Sequence, residues 1–151
     1  MTDTTATIRH CTFRVGDQCL AVASDAVAEV LGGRPVTPVP LAPPGVVGIV
    51  HLRGRIVPIL DPATRLGLAV APDRANADLL VLRSAGDAWC GLLVDDVLDV
   101  VDIPPTAVER PTAPAEEPLL TGVYAAPGRL VHVLDFQRMI QPAPRPRPQA
   151  S

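Results

Sequence analysis

The side chains that could do chemistry in this chain are few, and their spacing matches no familiar catalytic arrangement. None of the three histidines, His10, His51 and His132, lies within metal-ligand spacing of another histidine or of a cysteine. The serines lie outside any GxSxG nucleophile elbow, and neither phosphate-binding glycine pattern, GxxxxGKS/T or GxGxxG, occurs. The residue types therefore argue against hydrolytic and nucleotide-dependent enzymes.

A run of carboxylates is the strongest candidate for a metal site. Asp95, Asp96, Asp99 and Asp102 follow one another closely, and carboxylate oxygens are ligands that Mg²⁺ and Ca²⁺ prefer. The run lacks the Asp-x-Asp-x-Asp-Gly pattern of a calcium loop, so we interpret it as a solvated acidic face. A metal-dependent enzyme built on these carboxylates stays an alternative, but the sequence favours a protein without catalytic site, metal or cofactor.

A charged turn between two apolar stretches is the best candidate for a contact with another protein. It comprises residues 51–55, His-Leu-Arg-Gly-Arg. Glu29 is the one acidic residue of a short apolar segment, and an ion pair with Arg53 forms if that segment folds against the turn. Such a pair on an exposed surface contributes only about 0–1 kcal/mol, so its use would be orientation and not stability.

Composition restricts the elements that can position these residues. Eighteen of the 151 residues are proline and 3% are aromatic. Each proline removes a backbone donor and is disfavoured in helix interiors and central strands. This excludes a helical bundle and a doubly wound parallel sheet, and predicts an aliphatic core. The net charge of −3 argues against nucleic acid as a partner.

Cysteine usage and the first residues indicate a cytoplasmic protein. The three cysteines, Cys11, Cys19 and Cys90, form no CxxC pair and are typical of reduced, buried thiols. Residues 1–7 lack the apolar region of a signal peptide, and no apolar run approaches the roughly 18 residues that span a bilayer. We expect a soluble cytoplasmic protein without direct membrane insertion.

Short strands joined by tight turns account for most of the remaining sequence. Alternating apolar and polar residues, and the Gly-containing turns, predict three hairpins and a further strand over residues 55–60. The predicted turns are Gly16-Asp17, Arg53-Gly54, Gly86-Asp87 and Pro127-Gly128. Prolines and small polar residues predict connections over 35–44, 69–78 and 109–118.

Three further segments carry distinct local signals. Ser24-Asp25 is a possible cap for a short helix of barely two turns that ends at residue 31. Residues 94–102 combine a helical stripe of apolar positions with a high density of valine, and we favour a strand there. Asp135 is a plausible N-cap of a short helix over 136–140.

The whole pattern is typical of small β-barrels or a sandwich, with a faint internal repeat. Residues 48–61 begin with glycine and contain Arg, five mostly apolar residues and then Asp, and residues 122–135 do the same. Two interpretations stay open: two strands that end alike by chance, or two repeated barrels.

Four motifs, in order, resemble those of CheW-like domains over about residues 9–140. The string LRGRIVPILD at 52–61 resembles the family pattern NLRG-x-IVPIVDL, and GLLVDDVLDV at 91–100 resembles GIVVDxVxDV. VAEV at 27–30 is similar to VxEI, and LTGV at 120–123 with RLVHVL at 129–134 is similar to the closing LTGL…LILL strands. Each motif alone is weak, but four in the right order make a specific match.

The resemblance implies an all-β fold of two intertwined five-stranded SH3-like β-barrels with short helices. It also implies a non-enzymatic adaptor that joins the cytoplasmic tips of methyl-accepting chemoreceptors to the regulatory domain of the histidine kinase CheA, recruited to receptor arrays at the membrane. In the family the receptor binds in the groove between the barrels, and the kinase contacts barrel ends. By motif position, the implied partner-binding residues are Val27, Glu29, Val30, His51, Arg53, Gly54, Val94 and Asp95.

The chain departs from the family pattern at three places. His51 replaces the usual Asn, Asp61-Pro62 replaces Asp-Leu, and the segment 141–151 is rich in Pro and Arg without a counterpart. We expect one CheW-like domain over residues 8–140, followed by a disordered tail over 141–151. The alternative function is a CheW-like regulatory module that binds one of the two partners in a non-flagellar two-component pathway.

Overall fold

Ten strands and two short helices make up the described parts of the chain in a computed structural model. These parts are residues 6–43, 45–69, 77–84, 88–110 and 119–140. The strands are β1 (Ile8–Val15), β2 (Gln18–Ala23), β3 (Val27–Gly32), β4 (Val46–Leu52), β5 (Arg55–Leu60), β6 (Asp78–Arg83), β7 (Trp89–Val94), β8 (Asp96–Ile103), β9 (Leu120–Ala126) and β10 (Arg129–Leu134). The helices are α1 (Pro62–Leu66) and α2 (Phe136–Ile140).

The strands form two five-stranded sheets that exchange elements between the halves of the chain. Sheet A has the order β8-β1-β2-β10-β9, and sheet B has the order β3-β6-β7-β5-β4. The first half gives its β1–β2 hairpin to sheet A and its other strands to sheet B, and the second half does the converse. Each sheet contains one parallel pair, β2 with β10 or β7 with β5. The predicted intertwined β fold is therefore confirmed.

In the part of the chain that the structure describes, one isolated bridge connects the two edges of each sheet. Thr37, beyond β3, pairs with Ile49 of β4, and Glu109, beyond β8, pairs with Val123 of β9. Among the described residues, continuous pairing that would close either sheet into a barrel is not found, but the arrangement fits an SH3-like fold.

The same close approach explains the repeated glycines. A Cβ atom on Gly48 would lie 2.2 Å from the Thr37 carbonyl oxygen, and one on Gly122 would lie 2.5 Å from the Glu109 carbonyl oxygen. Glycine is required at both positions because any side chain would collide with the crossing backbone. The repeat seen in the sequence thus corresponds to two equivalent bridges, which favours the interpretation of a repeated unit.

The core has three parts, all built mainly from aliphatic residues. A shared core lies between the sheets and contains residues from β1, β2, β6 and β7, with Met139 of α2. Two smaller cores lie within sheet B and within sheet A. The central hairpins are buried on both faces, which is why residues such as Leu79–Leu82 form a continuous apolar run.

The prediction of a short helix before residue 31 is wrong. Ser24–Ala26 form a single 3-10 turn, and the chain continues as β3. Val27 and Val30 pair with Leu82 and Leu80 of β6, so pairing with a distant strand prevails over the local helix cap. Of the ambiguous segment 94–102, residues 96–102 form part of strand β8, as favoured, whereas Val94 ends β7 and Asp95 lies in a bend between the two strands.

Turns and caps follow the sequence where the structure describes them. The Gly16-Asp17 and Pro127-Gly128 turns join β1 to β2 and β9 to β10. Asp61 caps α1 by accepting from the Ala63 amide at 3.0 Å, and Pro62 fits because the first residue of a helix needs no amide hydrogen. Asp135 accepts from the Arg138 amide at 3.4 Å and so caps α2.

Several predicted features lie outside the described residues. These are most of the 69–78 and 109–118 connections, the Gly86-Asp87 turn and the tail over 141–151. The three cysteines are free, with Cys11 and Cys90 buried and Cys19 half-buried. Burial raises the pKa of the Cys90 thiol to about 11. Within the described ranges, no helix has the length and apolar character needed to cross a membrane.

Candidate partner-binding surface

The turn between β4 and β5 carries the charged motif of the sequence. Leu52 pairs with Arg55, so Arg53 and Gly54 alone form the loop. Their φ angles are 51° and 75°, the pattern of a type I′ hairpin turn. A left-handed conformation at a non-glycine residue costs about 1–2 kcal/mol, which the pairing of the flanking strands β4 and β5 must offset.

Glu29 of β3 forms the predicted ion pair with Arg53. The Arg53 Nη2 atom lies 2.9 Å from Glu29 Oε1, and the Nε atom lies 3.4 Å from Oε2. This hydrogen bonding holds the pKa of the Glu29 carboxyl below its ordinary value and raises the pKa of Arg53. Because β3 and β4 are the opposite edges of sheet B, the pair joins the two edges.

Arg34 adds a second link between the same edges. Its Nη2 atom donates to the His51 carbonyl oxygen at 2.8 Å, and its charge contributes to lowering the pKa of Glu29. The His51 side chain is exposed and lies directly across from Ile56, whose side chain is 63% exposed. Cross-strand partners share a face, so this end of sheet B presents one imidazole and one aliphatic side chain to solvent.

Apolar side chains on β3 and β8 face the space between the sheets. Val27 and Val30 pair with Leu82 and Leu80, two residues of the shared core, so they lie on the same face as that core. Val30 is nevertheless 46% exposed. The side of β3 that faces sheet A is therefore an apolar surface that the protein itself covers only in part.

Strand β8 repeats this arrangement in sheet A. Val97 and Val100 pair with Phe13 and Cys11, again residues of the shared core, and Val100 is 56% exposed. We call the core-facing apolar sides of these two edge strands, which carry Val27, Val30, Val97 and Val100, the inter-sheet groove. Val97 and Val100 lie within a family-like motif, but the sequence alone did not single them out.

Two of the predicted contact residues lie elsewhere. Val94 is fully buried in the shared core, which contradicts a direct contact between its side chain and a partner. Asp95 accepts from the Gly16 amide at 2.7 Å and lies 3.5 Å from the Arg14 guanidinium, so it holds the β1–β2 turn. The other six predicted residues lie on β3 and on the β4–β5 hairpin: Val27, Glu29, Val30, His51, Arg53 and Gly54.

Sequence reasoning missed a second acid–arginine pair. Arg129 Nη2 lies 2.7 Å from Asp99 Oδ1 and 2.8 Å from Oδ2. The buried Thr12 hydroxyl accepts from the Asp99 amide at 3.1 Å and donates to the Asp99 carboxylate. Hydrogen bonds from Thr12 and Arg129 lower the pKa of the Asp99 carboxyl. No spacing rule in the sequence connects residues 12, 99 and 129.

The carboxylate run is engaged in ion pairs with arginines. Asp96 accepts from Arg14 Nε at 3.1 Å, and Asp102 accepts from Arg9 Nε at 3.4 Å. Across the parts of the chain that the structure describes, no group of His, Cys, Asp and Glu is arranged to hold a metal ion. The arginines on β1 and β10 give these carboxylates a structural role along β8.

Comparison with known proteins gives matches over most of the chain. The family profile described as CheW-like domain matches residues 9–143. The chemotaxis protein CheW of Rhizobium meliloti is 34% identical over 128 residues, which cover 82% of this chain and 81% of that protein. Protein FrzA of Myxococcus xanthus is 34% identical over 137 residues, with 87% and 84% covered.

One solved structure extends this similarity to the fold. The scaffolding protein TtCheW from Thermoanaerobacter tengcongensis superimposes with a TM-score of 0.80 at 20% sequence identity, covering 93% of this chain and 92% of that one. At this level of identity the likeness establishes the two-sheet fold.

Proposed function

Because the chain belongs to the CheW-like family, whose members are scaffold or adaptor proteins and not enzymes, we propose that it couples chemoreceptor cytoplasmic tips to a CheA-type histidine kinase. It acts by binding both partners at once without chemical turnover. In the cell it is a cytoplasmic protein that receptors recruit to membrane arrays, without inserting into the membrane.

The inter-sheet groove is the proposed receptor site, and its exposed valines are the observation that carries the proposal. Val30 and Val100 lie on the core-facing sides of β3 and β8 and yet are about half exposed. Exposed apolar surface bounded by polar residues is typical of protein-binding sites. An amphipathic helical hairpin offers the complementary apolar stripe for such a groove.

The β4–β5 hairpin end is the proposed kinase site. His51, Arg53, Gly54 and Ile56 lie together there, and the Glu29–Arg53 pair fixes the guanidinium against β3. Arg53 is 67% exposed in this pair, so the ion pair leaves it accessible to a partner. Exposed charges of this kind orient a partner and speed its association, and reversing the sign of one within a contact weakens binding.

A binding experiment with charge variants tests the proposal. The wild-type chain is expected to retain both a soluble receptor hairpin-tip fragment and the CheA regulatory domain in a pull-down. Arg53→Glu should lower the affinity for the kinase domain about tenfold or more, because the carboxylates at positions 29 and 53 then repel each other. Arg9→Glu, which reverses an equally exposed charge on β1, is the matched control.

Two outcomes separate the adaptor from its alternatives. If the wild-type chain retains neither partner, the adaptor function is wrong for this chain. If it retains the kinase alone, and that binding survives Arg53→Glu, the single-partner regulatory module is correct. The double variant Glu29→Arg with Arg53→Glu restores the ion pair in reverse and separates loss of geometry from loss of the positive charge.

A further inference from the structure

Strands β3 and β8 carry a short internal repeat that the topology places at equivalent positions. Residues 27–30 read Val-Ala-Glu-Val, and residues 97–100 read Val-Leu-Asp-Val. Each strand is an edge of its sheet, pairs antiparallel with a central strand, and has a register shift within this segment. The first and fourth residues of both segments are the groove valines, and the third is an acid bonded to an arginine.

The two acid–arginine pairs occupy matching places. Glu29 meets Arg53 in the β4–β5 turn, and Asp99 meets Arg129 at the start of β10, directly after the β9–β10 turn. In each sheet the pair therefore joins one edge strand to the hairpin that ends in the other edge. In each segment the acidic residue lies between the two groove valines in sequence, and its side chain is held on the face of the strand where its arginine lies.

Sheet A has an additional anchor at the register shift. The shift falls between Cys11 and Phe13, where regular pairing with β8 is interrupted. The hydroxyl of Thr12 replaces the missing backbone pairing: it accepts from the Asp99 amide at 3.1 Å and donates to the Asp99 carboxylate. Val81 takes the corresponding place opposite Glu29 in sheet B.

We propose that Thr12, Asp99 and Arg129 are positioning residues for receptor binding, which hold the register shift of β8 so that Val100 projects into the inter-sheet groove. The inference rests on the proposed receptor site. Side chains of successive strand residues alternate between faces, so an Asp99 side chain held by Thr12 and Arg129 directs Val100 to the opposite face. Without the anchor the shift can move along β8, and Val100 loses its fixed orientation.

Thr12→Val is the central test because it removes the hydroxyl, keeps the side-chain shape and copies the residue found opposite Glu29. We expect affinity for a soluble receptor hairpin-tip fragment, measured by calorimetry, to fall about five- to tenfold. Thr12→Ser should bind like wild type because it restores the hydroxyl. Arg9→Ala removes an ion pair between the same two strands away from the register shift, and should leave affinity unchanged.

A double-mutant cycle distinguishes positioning from a general loss of stability. If Thr12 acts through Val100, the effect of Thr12→Val should largely disappear in a Val100→Ala background. Additive effects, or wild-type affinity for Thr12→Val, would overturn the inference while leaving the receptor site intact. Two negative results together would overturn both the inference and the proposed receptor site. These are a wild-type protein that does not bind the fragment, and hydrogen exchange of the Asp99 amide that Thr12→Val leaves unchanged.

Hydrogen exchange gives a readout that does not depend on the receptor. The Asp99 amide donates to Thr12 in the folded chain, so its exchange should accelerate in Thr12→Val and not in Arg9→Ala. Accelerated exchange without wild-type binding would mean that the anchor exists and the proposed receptor function is wrong.

Discussion

Single carboxylates in this molecule are tuned by the arginines beside them. Hydrogen bonds from Thr12 and Arg129 hold the pKa of Asp99 below its ordinary value of 3.8. A carboxylate whose pKa is lower in the folded than in the unfolded chain stabilises the fold at pH values above its unfolded pKa, and loses that contribution as the pH falls through the folded pKa. Glu29 follows the same rule because of Arg53.

Stability should therefore depend on pH through Asp99 below about pH 4. We expect the free energy of unfolding of Asp99→Asn to fall less between pH 5 and pH 3 than that of the wild type, as measured by urea denaturation at each pH. The variant should be less stable at pH 7, where the wild-type carboxylate is ionised and bonded. Asp102→Asn is the control on the same strand, since Asp102 has an exposed 3.4 Å contact with Arg9. Parallel pH profiles for wild type and Asp99→Asn would contradict this assignment.

At the scale of elements, each sheet depends on one crossing of backbone segments. Gly48 and Gly122 sit where the segments beyond β3 and β8 pass over β4 and β9. In sheet B the Glu29–Arg53 ion pair joins the same two edges that this crossing connects. A side chain at either glycine would have to push the crossing segment away.

Gly48→Ala should thus destabilise the protein by about 2 kcal/mol or more, because overpacking against backbone cannot be relieved by a rotamer change. Gly32→Ala on β3 is the matched control, since its Cβ would meet its nearest neighbour, Asp78 Oδ1, at an ordinary 3.7 Å. Thermal unfolding of both variants measures the difference. Equal melting temperatures would show that the Thr37 crossing is not essential to the sheet.

Local signals predicted the hairpins well and distant pairing poorly. The turns at Gly16-Asp17 and Arg53-Gly54 are encoded by residues within the turn, so the sequence sufficed. The segment of β3 was misread because its pairing partner, β6, lies about fifty residues away and overrides a local cap.

The candidate site was predicted in part for the same reason. The Glu29–Arg53 pair follows from a family-like motif and from opposite charge, and the structure brings the two together. The Thr12–Asp99–Arg129 network depends on one register shift, which periodicity does not reveal. Val94 lies in the core and not at the surface because its strand is buried on both faces.

At the scale of the whole molecule, α2 closes the shared core. Met139 is 1% exposed, and its carbonyl oxygen accepts from Arg65 of α1 at 3.0 Å. Each half of the chain thus ends its sheet contribution with a short helix, and α2 covers the interior that both sheets share. This packing supports the predicted domain boundary after residue 140, which stays a prediction.

A chain that ends at residue 140 should unfold at the same temperature as the full chain and bind both partners equally well. A chain that ends at residue 135 removes Met139 from the core and should lose about 2–5 kcal/mol of unfolding free energy. Calorimetry of the three chains tests the boundary. A lower melting temperature for the 140-residue chain would place part of the domain beyond it.

The pairing of β2 with β10 also has a consequence for how the protein is made. Arg129, which begins β10, contacts Cys19 of β2 across 110 residues of sequence. A ribosome releases the β1–β2 hairpin long before β10 exists, so one edge of that hairpin stays open during most of synthesis. Sheet A therefore completes late, and an early apolar strand edge is exposed to other nascent chains until it does.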